Sequence, residues 1–220
     1  MPSICSFRRS PSRGFTLLEI MIAVFILGVV LTTIYAAYTS TLGVIRNIED
    51  ESVIYKMARG TLDRMARDLT ALGRFDGKFF LRSERKGIGV DEFGYLTFWS
   101  SSHLVFEPGE LDGAPAMITY FVKRDKEGRF SLWRSDVLSS RPATESATDR
   151  GVVICQNIKG FALRFFNEAG GQFDHWDTRS APPQKDKPPT MMEIELVMAN
   201  DRDPEMPYKF TTKIFFPVRK

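Results

Sequence analysis

Cysteine and histidine are scarce in this 220-residue chain, with two of each. Cys5 has no apolar run ahead of it and so lacks the setting of a lipoprotein-type signal. From residue 15 onward Cys155 stands alone, which leaves no partner for a disulfide within that part. A domain of this kind facing an oxidising compartment must be held by core burial. Cys155 itself, in Val152-Val153-Ile154-Cys155, reads as a small buried apolar residue. His103 and His175 form no pair at metal-ligand spacing. No Gly-x-Ser-x-Gly elbow, P-loop or His-Glu-x-x-His occurs, and Gly87-x-Gly89 followed by Gly94 misses the dinucleotide spacing and reads as a loop. Proline is missing between Pro11 and Pro108, so nothing breaks a helix over that stretch. Excess charge is missing too. The pI near 8.9 and net charge of +3 come from Arg8, Arg9 and Arg13, since residues 1–14 hold no acid. Thirty basic residues less those three leaves 27, against 27 acidic ones. A balanced chain has no nucleic-acid-binding face to offer.

What the chain does have is one long uncharged run, residues 20–45, directly after Gly14-Phe15-Thr16-Leu17-Leu18-Glu19. Its 26 residues span roughly 39 Å as a helix, enough to cross a bilayer with tilt. The basic residues ahead of it hold that end in the cytoplasm and send the rest outward. Glu19 is the anomaly, because a carboxylate at the head of a membrane segment is costly unless it has a task. An ordinary secretory signal cut near Ala36-Ala37, or a plain anchor with Glu19 snorkelling, would also account for the apolar run. Neither uses the glycine placed immediately before Phe-Thr-Leu-Leu-Glu.

That constellation resembles the type IV prepilin-like signal of pilins and pseudopilins. The resemblance implies cleavage between Gly14 and Phe15 by a prepilin peptidase, with Phe15 becoming a methylated N-terminus. It also implies that Glu19 meets the Phe15 amine of a neighbouring subunit and sets the register of assembly. The physics agrees, since an amine buried among packed helices is very costly unless a carboxylate neutralises it.

Past residue 45 the sequence turns amphipathic. Tyr55, Ala58, Leu62, Met65, Leu69 and Leu72 are spaced as one helical face, with Arg59, Asp63 and Arg67 opposite. One helix is predicted from about Phe15 to Leu72, with Gly73 as its C-cap. The predicted layout is a leader at 1–14, a membrane or filament-core half-helix at 15–45, and an exported domain at 46–220. That domain is helical to about 72 and β-rich after it. Strands are predicted at 78–81, 95–100, 104–107, 116–123, 129–134, 151–155, 161–166, 191–198 and 208–216. Met192, Ile194, Leu196 and Met198 alternate with Glu193 and Glu195, the mark of a half-solvated antiparallel strand. Asp125-Lys126-Glu127-Gly128 reads as a hairpin turn. The proline-rich stretch at 181–189 reads as a mobile loop with nothing to bury, and 141–149 as a second loop. The expected class is α+β and pilin-like, a long helix packed on an antiparallel β domain of two small sheets.

Further pieces are similar to the J-type minor pseudopilins of type II secretion. They are Ile118-Thr119-Tyr120-Phe121, Leu132-Trp133-Arg134-Ser135, Ile158-Lys159-Gly160-Phe161-Ala162-Leu163-Arg164-Phe165 and then Trp176, together with the helical Arg67-Asp68-Leu69. Phe173 stands where that family has another tryptophan. The resemblance implies a non-enzymatic subunit at a pseudopilus tip in the bacterial inner membrane, its C-terminal domain periplasmic, alongside I- and K-type partners. A minor pilin of a type IV pilus or DNA-uptake machine would carry the same N-terminus. A membrane-tethered periplasmic enzyme is the alternative from another class. No cofactor is expected. Among carboxylates only Asp174, Asp201 and Asp203 approach a metal-ligand pattern. A polar rim around Trp176 and a plain turn at 200–205 are the favoured readings there. Tyr95, Phe98 and Trp99 are expected in the core or at subunit contacts.

Overall fold

A computed structural model of the chain describes residues 14–104, 113–139 and 151–216, with the helix at 42–50 described by its backbone alone. The predicted leader up to residue 13, the predicted strand beyond Leu104 and the predicted loop at 141–149 lie outside these residues. The chain divides into two units, Met1–Ser52 and Val53–Lys220, and the first helix runs through both.

Helix α1, Leu17–Thr70, is 54 residues long, as a proline-free stretch of good helix formers allows. It does not end in a glycine cap. Leu72 instead bridges Ser100, and the Gly73 amide donates to the carbonyl of Trp99, so the chain passes directly from helix into the sheet's margin. The strands follow as β1 Arg74–Phe75, β2 Lys78–Phe79, β3 Leu81–Ile88, β4 Asp91–Ser100, β5 Ala116–Arg124, β6 Phe130–Leu138, β7 Val152–Phe166, β8 Gln172–Phe173, β9 Met191–Met198 and β10 Tyr208–Phe215. Where two small sheets are expected, the chain builds one antiparallel sheet of eight strands and a separate two-stranded ribbon of β1 and β2. The order in the large sheet is β10-β9-β7-β6-β5-β4-β3, with β8 on the far part of β7.

The large sheet is continuous because β7 is one strand of 15 residues, not two short ones. Its first part pairs with β6 and its second with β9, and the register shifts on either side of Ile158. Asn157 takes the left-handed conformation there, at φ 55°. An extra residue in a ladder bends the strand and lets it change neighbours, and asparagine tolerates that backbone. Gly94 of β4 permits the close approach of β7, because a Cβ there would lie 3.2 Å from the Phe161 carbonyl oxygen. The hairpin at 125–128 forms as predicted, with Gly128 at φ 84° and Asp125 bonded to Arg129.

Alternation places Leu96 and Phe98, Ile118 and Tyr120, Leu132, Leu163 and Phe165, and Ile194 and Leu196 in one core with Ala58, Met65 and Leu69 of α1. Each fully buried large side chain contributes about 1.5–3 kcal/mol. The buried stripe of α1 departs from the predicted one. Tyr55 is 55% exposed and Leu62 half-buried, while the polar Thr61 and Asp68 are buried.

The proline-rich stretch also departs from expectation. Gln184 and Pro189 are buried. The Gln184 side chain accepts from the Asp177 amide at 3.0 Å and donates to the His175 carbonyl at 3.4 Å. The Lys187 carbonyl accepts from the Trp176 indole at 3.0 Å, and Asp186 accepts from the Phe79 amide at 2.9 Å. Residues 174–190 are therefore a strap across the edge of the sheet, held by polar groups where apolar residues are few.

Candidate processing and assembly site

Thr16 begins α1. Its carbonyl accepts from the amides of Glu19 at 3.1 Å and Ile20 at 3.3 Å, and its hydroxyl accepts from the Glu19 amide at 3.3 Å. A threonine followed three residues later by glutamate is a helix-start pattern, and Thr16 satisfies one of the amides that a helix end leaves open. The sequence reading passed over Thr16, although that spacing was available to find it. Glu19 thus stands in the first turn, where the positive end of the helix dipole favours a carboxylate.

Phe15 is 79% exposed. A Cβ built on Gly14 would meet nothing within 4 Å among the described residues. Residues Leu17–Thr41, Glu19 among them, form a helical span of mean hydropathy 2.6 with none of it buried. This length and composition are compatible with a single-pass membrane anchor, with the remainder as a soluble domain. Gly14, Phe15 and Glu19 are therefore gathered at one helix start, and all are accessible.

The other candidate positions are dispersed. Asp174 is exposed beside Arg85 at 3.7 Å, and Trp176 behind it is buried against Phe165 and Phe173. Asp201 accepts from Asn157, while Asp203 and Arg202 donate their amides to Asn200, a turn closed by its own side chains. Among the described residues no group of three or more His, Cys, Asp or Glu could hold a metal ion. Phe98 is core, whereas Tyr95 and Trp99 are half-buried, with Lys86 over the Tyr95 ring and Phe75 stacked on Trp99. Burial pushes the Cys155 thiol up to about 11, so it is neutral at pH 7.

One polar cluster escaped the sequence reading as a unit. Asp68, wholly buried on α1, accepts from Arg64, from the Tyr120 hydroxyl at 2.5 Å and from Arg134 Nε at 2.7 Å. Arg134, 1% exposed, also donates to Asp136 at 2.8 Å and to the Ser102 carbonyl at 3.1 Å. Asp136 in turn accepts from the Leu104 amide and bonds His103 Nδ1 at 2.7 Å. Burial and then the neighbouring carboxylate hold the Tyr120 phenol well above its ordinary range. Burial works against the charge of Arg134, but its bonds to Asp68 outweigh that and raise its pKa. Two arginines against two aspartates balance, so this cluster joins helix to sheet and offers no open chemistry.

No curated protein matches the chain. Residues 9–35 match the family model of the prokaryotic N-terminal methylation motif. The chain therefore carries a prepilin-like signal over the stretch that holds Gly14, Phe15 and Glu19, as fits a pilin-like protein.

Proposed function

We propose that the chain is a minor pseudopilin of the J type, a non-enzymatic subunit of the type II secretion pseudopilus. The observation that carries this reading is the match of residues 9–35 to the methylation motif, with Gly14 directly before Phe15. In this account the precursor sits in the inner membrane with its leader in the cytoplasm and its C-terminal domain in the periplasm. A prepilin peptidase cuts after Gly14 and methylates Phe15. The exposed apolar half of α1 then leaves lipid and packs into the filament, where Glu19 neutralises the Phe15 amine of a neighbour. The J-type resemblance supports a place in the tip complex with I- and K-type subunits.

The test is light scattering with size exclusion on residues 46–220, alone and mixed with the soluble domains of I- and K-type pseudopilins from the same organism. A stoichiometric complex that neither pair explains is expected. Clean separation of three well-folded proteins would contradict the tip role and favour a minor pilin of a type IV pilus or DNA-uptake machine.

A further inference from the structure

The bond proposed for cleavage, between Gly14 and Phe15, stands just outside a helix, and one side chain marks the boundary. Helix α1 starts at Leu17, while Gly14, Phe15 and Thr16 are not helical. Thr16 holds that limit with two acceptors. Its carbonyl accepts from the amides of Glu19 and Ile20, as the residue that precedes a helix does. Its hydroxyl accepts from the Glu19 amide at 3.3 Å, a bond that requires Thr16 itself to stay out of the helix.

The position of this boundary bears on the bond because a formed helix extends readily. Once nucleated, helix grows by one hydrogen bond per residue, and α1 is already 54 residues long. Growth past Thr16 would pass the Glu19 amide to the Phe15 carbonyl and the Leu18 amide to the Gly14 carbonyl, by the ordinary helical spacing. The Gly14 carbonyl belongs to the bond that is cut. Proteolysis acts on backbone that is free of such bonds and tracks the population of the open form. Phe15 is exposed, and Thr16 lies inside the matched motif.

We infer that Thr16 is a positioning residue for processing: its side chain holds α1 off the Gly14–Phe15 bond, so that a prepilin peptidase meets that bond in a non-helical chain. The inference rests on the reading that the cut falls after Gly14. Thr16 acts on the conformation of the substrate and need not touch the enzyme. Loss of its hydroxyl lets α1 grow over the bond and lowers the fraction of chains that can be cut. A smaller competent fraction raises the apparent KM and leaves kcat unchanged. Any side chain that caps a helix should serve in its place, whatever its shape.

The test is the initial rate at which a purified prepilin peptidase cuts the detergent-solubilised full chain, followed over a range of substrate concentrations. Thr16→Ala removes the cap, whereas Thr16→Ser and Thr16→Asn keep a capping oxygen on side chains of different shape. Thr16→Ala is expected to raise KM about two- to fivefold at unchanged kcat. Serine and asparagine should both return KM to that of the unaltered chain. Carbon shifts of Phe15, read by NMR on the uncut chains without enzyme, should move toward helical values in Thr16→Ala and in neither other variant. An unchanged KM and unchanged Phe15 shifts in Thr16→Ala would overturn the inference and leave the cut after Gly14 standing. A loss that serine repairs and asparagine does not would overturn it too, because it marks direct contact with the enzyme. Failure of the peptidase to cut the unaltered chain after Gly14 would remove the underlying reading, and the inference with it.

Discussion

Asp68 accepts from Arg64, Tyr120 and Arg134 while wholly shielded from water, and those donors come from the helix and from two strands. Removing it leaves the Arg134 guanidinium buried with half its partners. Asp68→Ala is expected to cost about 3–5 kcal/mol, the range for breaking a buried pair from one side. Tyr120→Phe should cost about 1–2 kcal/mol, because the carboxylate keeps its arginines. Urea unfolding of the full chain in detergent, followed by tryptophan fluorescence, reports this directly, since Trp99, Trp133 and Trp176 all lie in the β domain. A loss under about 1 kcal/mol for Asp68→Ala would contradict the role given to the cluster. The helical stripe was legible in its spacing, but a polar residue on it was not. Spacing scores apolar side chains, while Asp68 is buried because an arginine 66 positions away reaches it. Glu19 presents the reverse case, visible from sequence because its cost in an apolar run needs a compensating task. Glu19→Ala should leave processing and membrane insertion intact and prevent entry into filaments, as cell fractionation and sheared-filament blots would show. Normal incorporation would remove the amine-pairing account.

Among elements, β9 was legible to the residue because its alternation is complete. The polar residues between the two predicted runs at 151–155 and 161–166 concealed that β7 is continuous, since a bulge at Asn157 interrupts the period without interrupting the strand. β3 was missed past Leu81, its first residue, because an edge strand shows charge on its open portion. The strap was misread because its anchors are single polar side chains. One of these is Asp186, and both it and Asp177, which binds Arg179 within the strap, have depressed pKa values. Asp186 is lowered first by the Phe79 amide and then by Arg74. Asp177 is raised by burial but lowered more by the hydrogen bonds and charge of Arg179. A depressed folded pKa means stabilisation that is fully present above about pH 4, the ordinary carboxylate value, and lost as pH falls through the folded value. Carboxyl carbon shifts followed by NMR should therefore titrate below free aspartate for both residues. Below those midpoints the Phe79 amide should exchange faster with solvent. Titration of Asp186 at or above the free value would contradict its anchoring role, and the same result for Asp177 would contradict its pairing with Arg179.

For the whole molecule, the chain joins a span that buries nothing of itself to a domain with its own core. Leu17–Thr41 buries nothing within the chain, and its length and composition are compatible with a membrane anchor. The long apolar helix and the α+β class were readable because composition and periodicity report them directly. The gathering of eight strands into one large sheet was not, because it depends on where one strand bends. The central claim is that Gly14 marks a cut. Its most direct test is mass spectrometry of the N-terminal peptide of the chain recovered from membranes of cells that express a prepilin peptidase, beside Gly14→Leu as control. The account predicts a chain that begins at Phe15 with a methylated amine, and an uncut leader in the Gly14→Leu protein whose β domain unfolds at the same urea concentration. A chain that keeps its leader, or one cut near Ala36-Ala37, would contradict it.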